Sequence, residues 1–118
     1  MQLTLISQDS GLARLECEGQ ITQNDFEPGD DPMVSVLGSE GFSRKVLLNL
    51  EKTSYIDSSG ISWLVVCHRK FLQGGGRLVL HTIPPMVHHV LQLLRLNSIM
   101  HIAVDEASAR AMMGGANP

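Results

Sequence analysis

Aromatic residues and charges are both scarce in this sequence of 118 residues. It contains one Trp, one Tyr and three Phe, too few for the stacking platforms on which proteins bind bases or sugars. Only 18% of the residues are charged, against about 25% in a typical soluble domain. Nine basic and twelve acidic residues give a net charge of −3, which argues against binding to nucleic acid or to an anionic membrane surface.

Cysteines and long apolar runs are also limited. Cys17 and Cys67 are fifty positions apart, a spacing that fits neither a metal site nor a redox motif. No apolar stretch approaches the roughly 20 residues of a membrane span, and no signal-peptide pattern is present. These features predict a reduced, cytoplasmic protein that does not insert into membranes, and a soluble domain of a membrane protein is the alternative.

The length fits one domain, which we predict over residues 1–113, followed by a flexible tail at 114–118. After an opening hairpin, strands and helices alternate along the chain. This order predicts an α/β fold with a mixed, mostly parallel sheet of four to five strands, right-handed crossovers and about four helices.

Local patterns place the individual elements. Strands are predicted at 3–7, 12–18, 45–50, 77–80 and 99–104, and helices at 32–37, 61–73, 85–96 and 106–112. Asp31 and Asp105 are typical helix caps, and the glycines at 74–76 are typical of a helix end. The polar, turn-rich residues 20–31 predict a loop. The face of the second helix predicted to be buried consists of Ile61, Leu64, Val65, His68 and Leu72.

One predicted helix start also carries side chains that could be modified chemically. Asp57-Ser58-Ser59-Gly60 stands where a strand gives way to the second helix. The free backbone N–H groups and the dipole of a helix N-terminus attract anions, so a phosphate added to a serine there is stabilised by the backbone. Ser, Asp and Gly are also ordinary capping residues, and a plain helix cap is the alternative interpretation.

These four residues, the apolar helix after them and the run from Gly74 to Leu80 resemble the STAS family, whose best-known members are bacterial anti-sigma factor antagonists. The resemblance extends from about Leu3 to Met113. It implies a mixed sheet with helices packed largely on one face, and a function in signal transduction and transcription regulation through protein binding rather than catalysis.

The resemblance also implies a phosphorylation switch. The serine directly after the aspartate is the phosphoacceptor in such antagonists, which corresponds to Ser58, with Ser59 as the second candidate and Asp57 and Gly60 as supporting residues. The implied partners are an anti-sigma factor that is also a serine kinase, and a metal-dependent serine phosphatase that resets the switch. Added phosphate charge at a docking surface weakens a complex by repulsion and desolvation.

A docking surface is expected beside this serine. Family members often carry an aspartate shortly after the glycine that ends the second strand, whereas here Thr22 takes that place and Asp25 follows three residues later. On the second helix, a stripe of residues lies beside the predicted apolar face. The candidate partner-binding residues are Thr22, Asp25, Ser62, Trp63, Val66 and Arg69. For Trp63, the alternative is packing with Cys67 and Phe71, at i, i+4 and i+8.

Two other functions are weighed against the switch. In the first, the protein is a STAS-type scaffold or accessory subunit of a signalling or transport complex, and its serine is only a cap. In the second, the serine is a catalytic nucleophile, which requires a positioned base that the sequence does not provide. We therefore predict no enzymatic activity. The histidines at 81, 88, 89 and 101 lack metal-site spacing, so no metal or cofactor is predicted, and the oligomeric state is left open.

Overall fold

A computed structural model describes residues 1–9 and 11–115, and its elements alternate as the sequence predicts. They are β1 (Gln2–Asp9), β2 (Leu12–Ile21), α1 (Pro32–Leu37), β3 (Lys45–Ile56), α2 (Ser58–Gly74), β4 (Arg77–His81), α3 (Pro85–Leu93), β5 (His101–Ala103) and α4 (Glu106–Gly115). Short 3-10 turns lie at Gln23–Asp25, Gly41–Ser43 and Leu96–Ser98. The predicted α/β class is confirmed.

The five strands form one sheet in the order β1-β2-β3-β4-β5. β1 is antiparallel to β2, and the other neighbours are parallel. Each crossover advances one strand in the same direction, so right-handed connections carry α1, α2 and α3 to the same face. α4 follows the last strand and packs on the opposite face. The opening hairpin and the mostly parallel sheet are thus confirmed, with three of the four helices on one side.

The central strand β3 contributes to two apolar layers. Val46, Leu48 and Leu50 belong to the larger core under α1, α2 and α3. Leu47 belongs to the smaller layer, together with Val79 and residues of α4. Because successive strand residues point to opposite faces, an uninterrupted apolar run is the pattern of a strand covered on both sides.

Two strands continue beyond their predicted ends. β2 extends to Ile21 instead of stopping before Gly19, and β3 extends to Ile56 instead of stopping at Leu50. The polar residues 51–54 remain in the strand because β2 runs alongside and pairs with them. This extension brings the C-terminal ends of both strands to the start of α2.

Other boundaries differ at the C-terminal end of the chain. β5 begins at His101, because the residues before it form a 3-10 turn and a bend rather than a strand. α4 continues to Gly115, beyond the predicted start of the tail at 114, and residues 116–118 lie outside the described part of the chain. Within residues 1–9 and 11–115, no helix combines the length and the apolar character needed to span a bilayer.

The buried face of α2 is rotated from the predicted one. Leu64 and His68 are buried as expected, but Leu72 is 56% exposed and Phe71 is buried in its place. Trp63 and Cys67 complete the inner face. The rotation follows from the neighbours of α2, because the loop before α1 and the turn after it, at Gly41–Ser43, pack on the side that carries Trp63 and Phe71.

Candidate functional site

The site is built where β3 ends and α2 begins. Asp57 is the N-cap of α2, and its Oδ1 accepts a hydrogen bond from the Gly60 backbone N–H at 3.0 Å. Its Oδ2 accepts from the Gln23 backbone N–H, also at 3.0 Å. One carboxylate therefore caps the helix and holds the loop after β2 against it. The segment therefore does cap the helix, and the residue that caps it is Asp57 rather than a serine.

Ser58 is the first residue of α2 and is exposed, whereas Ser59 behind it is half-buried. The first-turn backbone N–H groups of the helix have no partners within the helix, and the dipole gives this end a partial positive charge. An oxyanion on Ser58 would thus lie in a favourable local field. The structure places the predicted phosphoacceptor where a partner protein can reach it.

Gly60 allows α2 to approach the strand ends closely. A Cβ at this position would lie 2.6 Å from Ile56 Cγ1 and 2.8 Å from the carbonyl oxygen of Ile21. Real Cβ atoms do not come this close to backbone oxygens, so the site requires a residue without a side chain. Gly60 supports the position of Ser58 through backbone packing rather than through chemistry.

A half-buried polar cluster around Asp31 ties α1 to α2. Its Oδ1 accepts from the Met33 backbone N–H at 3.0 Å and from Trp63 Nε1 at 3.4 Å, and its Oδ2 accepts from Lys70 Nζ at 2.9 Å. Partial burial alone would raise the pKa of Asp31, but the Lys70 ammonium and the two N–H donors outweigh it and hold the pKa below its usual range.

A cleft of about 440 Å³ opens between the loop before α1 and the first turns of α2. It brings together five of the predicted site residues with four others. The lining residues are Phe26, Asp30, Asp31, Ser58, Ser59, Ser62, Trp63, Val66 and Lys70. Ser62 and Val66 are exposed on its wall, as the predicted stripe requires. A partner that contacts Ser58 would meet this cleft.

Trp63 contributes little surface to the cleft. Its side chain is only 8% exposed, and its ring packs against Phe26 with 5.6 Å between the ring centroids. Cys67 and Phe71 share the same buried face of α2. The packing alternative is therefore correct for this residue, and the exposed-anchor interpretation is not.

Three predicted candidates lie outside the cleft. Thr22 precedes the 3-10 turn after β2, and its backbone N–H donates to Asp25 Oδ2 at 2.8 Å. The Met1 ammonium lies 2.6 Å from Asp25 Oδ1. Burial would raise the pKa of Asp25, but these two donors outweigh it and lower the pKa. Arg69 is exposed further along α2 and lines a different groove.

Four residues of the cleft were not predicted as site residues: Phe26, Asp30, Asp31 and Lys70. The Asp31 carboxylate was recognised as a helix cap, but its bonds to Trp63 and Lys70 cross 32 and 39 residues of sequence. The spacing of Trp63 and Lys70, two turns apart on one side of the helix, was the only local signal.

No donor set suggests a resident metal. Within the described ranges, no three His, Cys, Asp or Glu side chains are grouped so that they could hold an ion. Cys17 and Cys67 are buried free thiols, and desolvation raises the pKa of each. The groups of the site that can bind or react are therefore its exposed hydroxyl and its carboxylates, arranged around the cleft.

These features define a class: an α/β domain with an antiparallel opening hairpin and an exposed serine at the start of its central helix. The STAS domain family profile matches residues 7–109, and the protein belongs to that family. The loop after β2 and the start of α2 meet at one surface because β2 and β3 are parallel and end side by side, with Ile21 opposite Ile56.

Solved structures share the fold at low sequence identity. A Thermotoga maritima protein provisionally assigned as an anti-sigma factor antagonist has a TM-score of 0.79 and 18% identity, covering 90% of each chain. The anti-sigma factor antagonist SpoIIAA in its unphosphorylated form gives 0.62 and 15%, covering 99% of this chain and 100% of its own. The phosphorylated form of SpoIIAA, a Bacillus cell fate determinant, gives 0.61 and 17%, covering 94% and 99%. These structures share the fold of this chain.

Proposed function

We propose that this protein is a regulatory binding module, similar to an anti-sigma factor antagonist, that is switched by reversible phosphorylation of Ser58. The observation that carries the proposal is that two adjacent residues at the start of α2 have different roles. Asp57 provides the cap, and the adjacent Ser58 hydroxyl is left exposed at the rim of the cleft. The proposed partners are an anti-sigma factor with serine kinase activity and a metal-dependent serine phosphatase.

The charges around the serine explain how a phosphate would act. Among the residues lining the cleft, Lys70 is the single cation, and it is already paired with Asp31 at 2.9 Å. Asp30 adds a further carboxylate to the same wall. A phosphate on Ser58 would contribute about −1.5 to −2 charges with no cation of the cleft free to neutralise it. The docking surface would thus become strongly negative while the fold stays intact.

The effect of one phosphate is large relative to the net charge of the whole molecule. Phosphorylation would move the net charge from −3 to about −5. A partner that binds the unmodified surface through apolar contacts and hydrogen bonds would meet uncompensated charge after modification, which favours release. The capture of SpoIIAA, which has the same fold, in both an unphosphorylated and a phosphorylated form supports this proposal.

Exposure favours Ser58 over Ser59 as the acceptor. A kinase must bring the hydroxyl into its own active site, and Ser58 is exposed whereas Ser59 is half-buried behind it. Ser59→Ala is therefore a matched control for Ser58→Ala, because both variants remove one hydroxyl from neighbouring positions in the same helical turn.

The test uses the full chain, an anti-sigma factor captured with it from its own cells, and ATP. Intact mass and site mapping should show one phosphate on Ser58 in the wild type and in Ser59→Ala, and none in Ser58→Ala. Ser58→Asp should weaken partner binding by about tenfold or more, measured by calorimetry. An active kinase that leaves Ser58 unmodified, or equal binding by the wild type and Ser58→Asp, would contradict the switch and favour the scaffold function.

A further inference from the structure

A second groove lies on α2, beyond the cleft beside Ser58. It has a volume of about 430 Å³ and runs between α2 and the residues that follow α3. Its lining is mostly apolar and consists of Ile61, Ser62, Val65, Val66, Arg69, Leu94 and Leu96. Leu94 is 53% exposed and Val66 is 43% exposed. Side chains of this type, left open in a groove, mark a surface on which another molecule can bury apolar area.

The groove is also cationic. Arg69 lines it, and Arg95 stands in the chain between the two leucines of the opposite wall. Across residues 1–9 and 11–115, neither guanidinium forms an ion pair with an acidic side chain. Arg69 is thus an uncompensated cation on the lining of an apolar groove, on a chain whose net charge is −3, which favours an occupant that supplies a carboxylate.

We propose that this groove binds an amphipathic helix of a partner protein, one that carries acidic residues beside its apolar stripe. The walls favour a helix over an extended segment, because one wall is α2 and the other is formed by Leu94 and the 3-10 turn that begins at Leu96, and neither offers a strand edge for main-chain pairing. The apolar stripe of the partner helix packs against Leu94 and Val66, and a carboxylate beside that stripe pairs with Arg69 at the edge of the groove.

Charge argues against a second copy of this chain as the occupant. A two-fold interface joins the same patch of both subunits. Such a dimer would bring Arg69 of one groove close to Arg69 of the other. The lining of the groove contains no Asp or Glu that could pair with either arginine. The partner helix proposed here has the opposite charge.

The groove is distinct from the phosphorylation switch, and this proposal does not depend on it. Ser62 and Val66 border both the groove and the cleft beside Ser58, so one partner could span the two. Ser58 and Arg69 are eleven residues apart, about 16 Å along the helix axis. This separation is roughly twice the Debye length at physiological ionic strength, so a phosphate on Ser58 should leave attraction at Arg69 largely intact.

The test uses unmodified full-length protein and two labelled helical peptides of about 18 residues, long enough to form a helix. Both carry the same leucine stripe, flanked by Glu in one peptide and by Lys in the other. Fluorescence anisotropy should show binding of the Glu peptide and little binding of the Lys peptide. Amide shifts in an NMR titration should concentrate at Val66, Arg69 and Leu94.

Variants locate the binding. Leu94→Asp should weaken binding of the Glu peptide by about tenfold or more, and Val66→Asp provides a second test on the other wall. Leu93→Asp is the matched control, because Leu93 is an adjacent leucine, 69% exposed, that does not line the groove. Arg69→Glu should reverse the preference between the two peptides. Circular dichroism should show that each variant is folded.

Several results would overturn the proposal. They are equal affinity for the two peptides, no binding of the Glu peptide, and an equal effect of Leu93→Asp and Leu94→Asp. A dimer in sedimentation that Leu94→Asp dissociates would assign the groove to a second copy instead. No kinase or phosphate enters this experiment, so its outcome is independent of whether Ser58 is modified.

Discussion

At the scale of single residues, Gly60 sets how closely α2 approaches the strand ends. Alanine normally stabilises a helix interior relative to glycine by about 0.5–1 kcal/mol. Here its Cβ would meet Ile56 and the Ile21 carbonyl oxygen at 2.6 and 2.8 Å, and overpacking of this kind costs about 1–3 kcal/mol. We therefore expect Gly60→Ala to lower the free energy of unfolding, measured by urea denaturation.

The control for this prediction is Ser59→Ala, at the neighbouring half-buried position of the same helical turn. It should change stability much less than Gly60→Ala, because it removes an atom instead of adding one. A stabilised Gly60→Ala protein would show that α2 can move away from the strands at no cost, which contradicts a tight junction.

Also at the residue scale, Asp31 carries a charge whose contribution depends on pH. Its pKa is held below the usual range in the folded protein, with Lys70 as the main favourable partner. A depressed carboxyl pKa adds stability above the unfolded value of about 3.9, and this stability is lost as pH falls through the folded pKa. Asp31→Asn keeps a capping side chain and removes only the charge.

We expect Asp31→Asn to be less stable than the wild type at pH 7 by about 0.5–1 kcal/mol, since the pair with Lys70 is partly exposed. The difference should shrink as the pH is lowered from about 5 towards 2. Asp30→Asn, at the adjacent exposed position, is the control and should follow the wild type throughout. Parallel stability curves for Asp31→Asn and the wild type would contradict a charge effect. The measurement is urea unfolding across this pH series.

At the scale of elements, local capping signals predicted the start of α1 and the end of α2, whereas α3 ends at Leu93 and not at the predicted residue 96. Asp31 and Pro32 predicted the start of α1, and its first turn has the cap hydrogen bond that the pattern implies. The glycines after α2 predicted its end, where Gly75 takes the left-handed conformation with φ 85°. Both are interactions between near neighbours, which a sequence displays directly.

Strand ends depend on pairing with a distant segment. The polar residues 51–54 resemble a loop in the sequence but stay extended because β2 pairs beside them. Contacts within the site are likewise set by distant segments. The sequence motif predicts that Ser58 stands at a helix start. The contacts of Asp31 with Trp63 and Lys70 could not be predicted, because they arise only when α1 and α2 pack together.

The orientation of α2 shows a further limit of helical periodicity. The apolar residues of α2 cover more than one face, and Ile61 and Val65 are only half-buried beside the groove. Periodicity identifies a helix with an apolar side but does not choose between two adjacent apolar sides. Contacts with Phe26 and Phe42 select the side that carries Trp63 and Phe71 as the inner one.

At the scale of the whole molecule, three histidines couple stability to pH near neutrality. His68 on α2, His81 on β4 and His101 on β5 have pKa values lowered mainly by burial, and Arg69 and Arg77 add repulsion at His68 and His101. The rings of His68 and His101 also lie against each other, with 5.3 Å between centroids. Protonating either ring in the folded protein would therefore be unfavourable.

The sign of the pH effect follows from proton binding. Below about pH 6.5 the unfolded chain binds protons at its histidines, while the folded protein keeps these rings neutral until the pH reaches their lower folded pKa values. The unfolded state then holds more protons, so the free energy of unfolding should fall as the pH drops from about 7.5 to 5.5. Urea denaturation at several pH values measures this slope.

His101→Gln should flatten the slope, because it removes one of the shifted rings and relieves the contact with His68. His89→Gln is the matched control, because it replaces an exposed histidine of α3. If His101→Gln and His89→Gln gave the same slope as the wild type, the contact between His68 and His101 would not govern proton binding. A flattened slope in His101→Gln alone would show that the His101 ring, with its contact to His68, contributes to the loss of stability in acid.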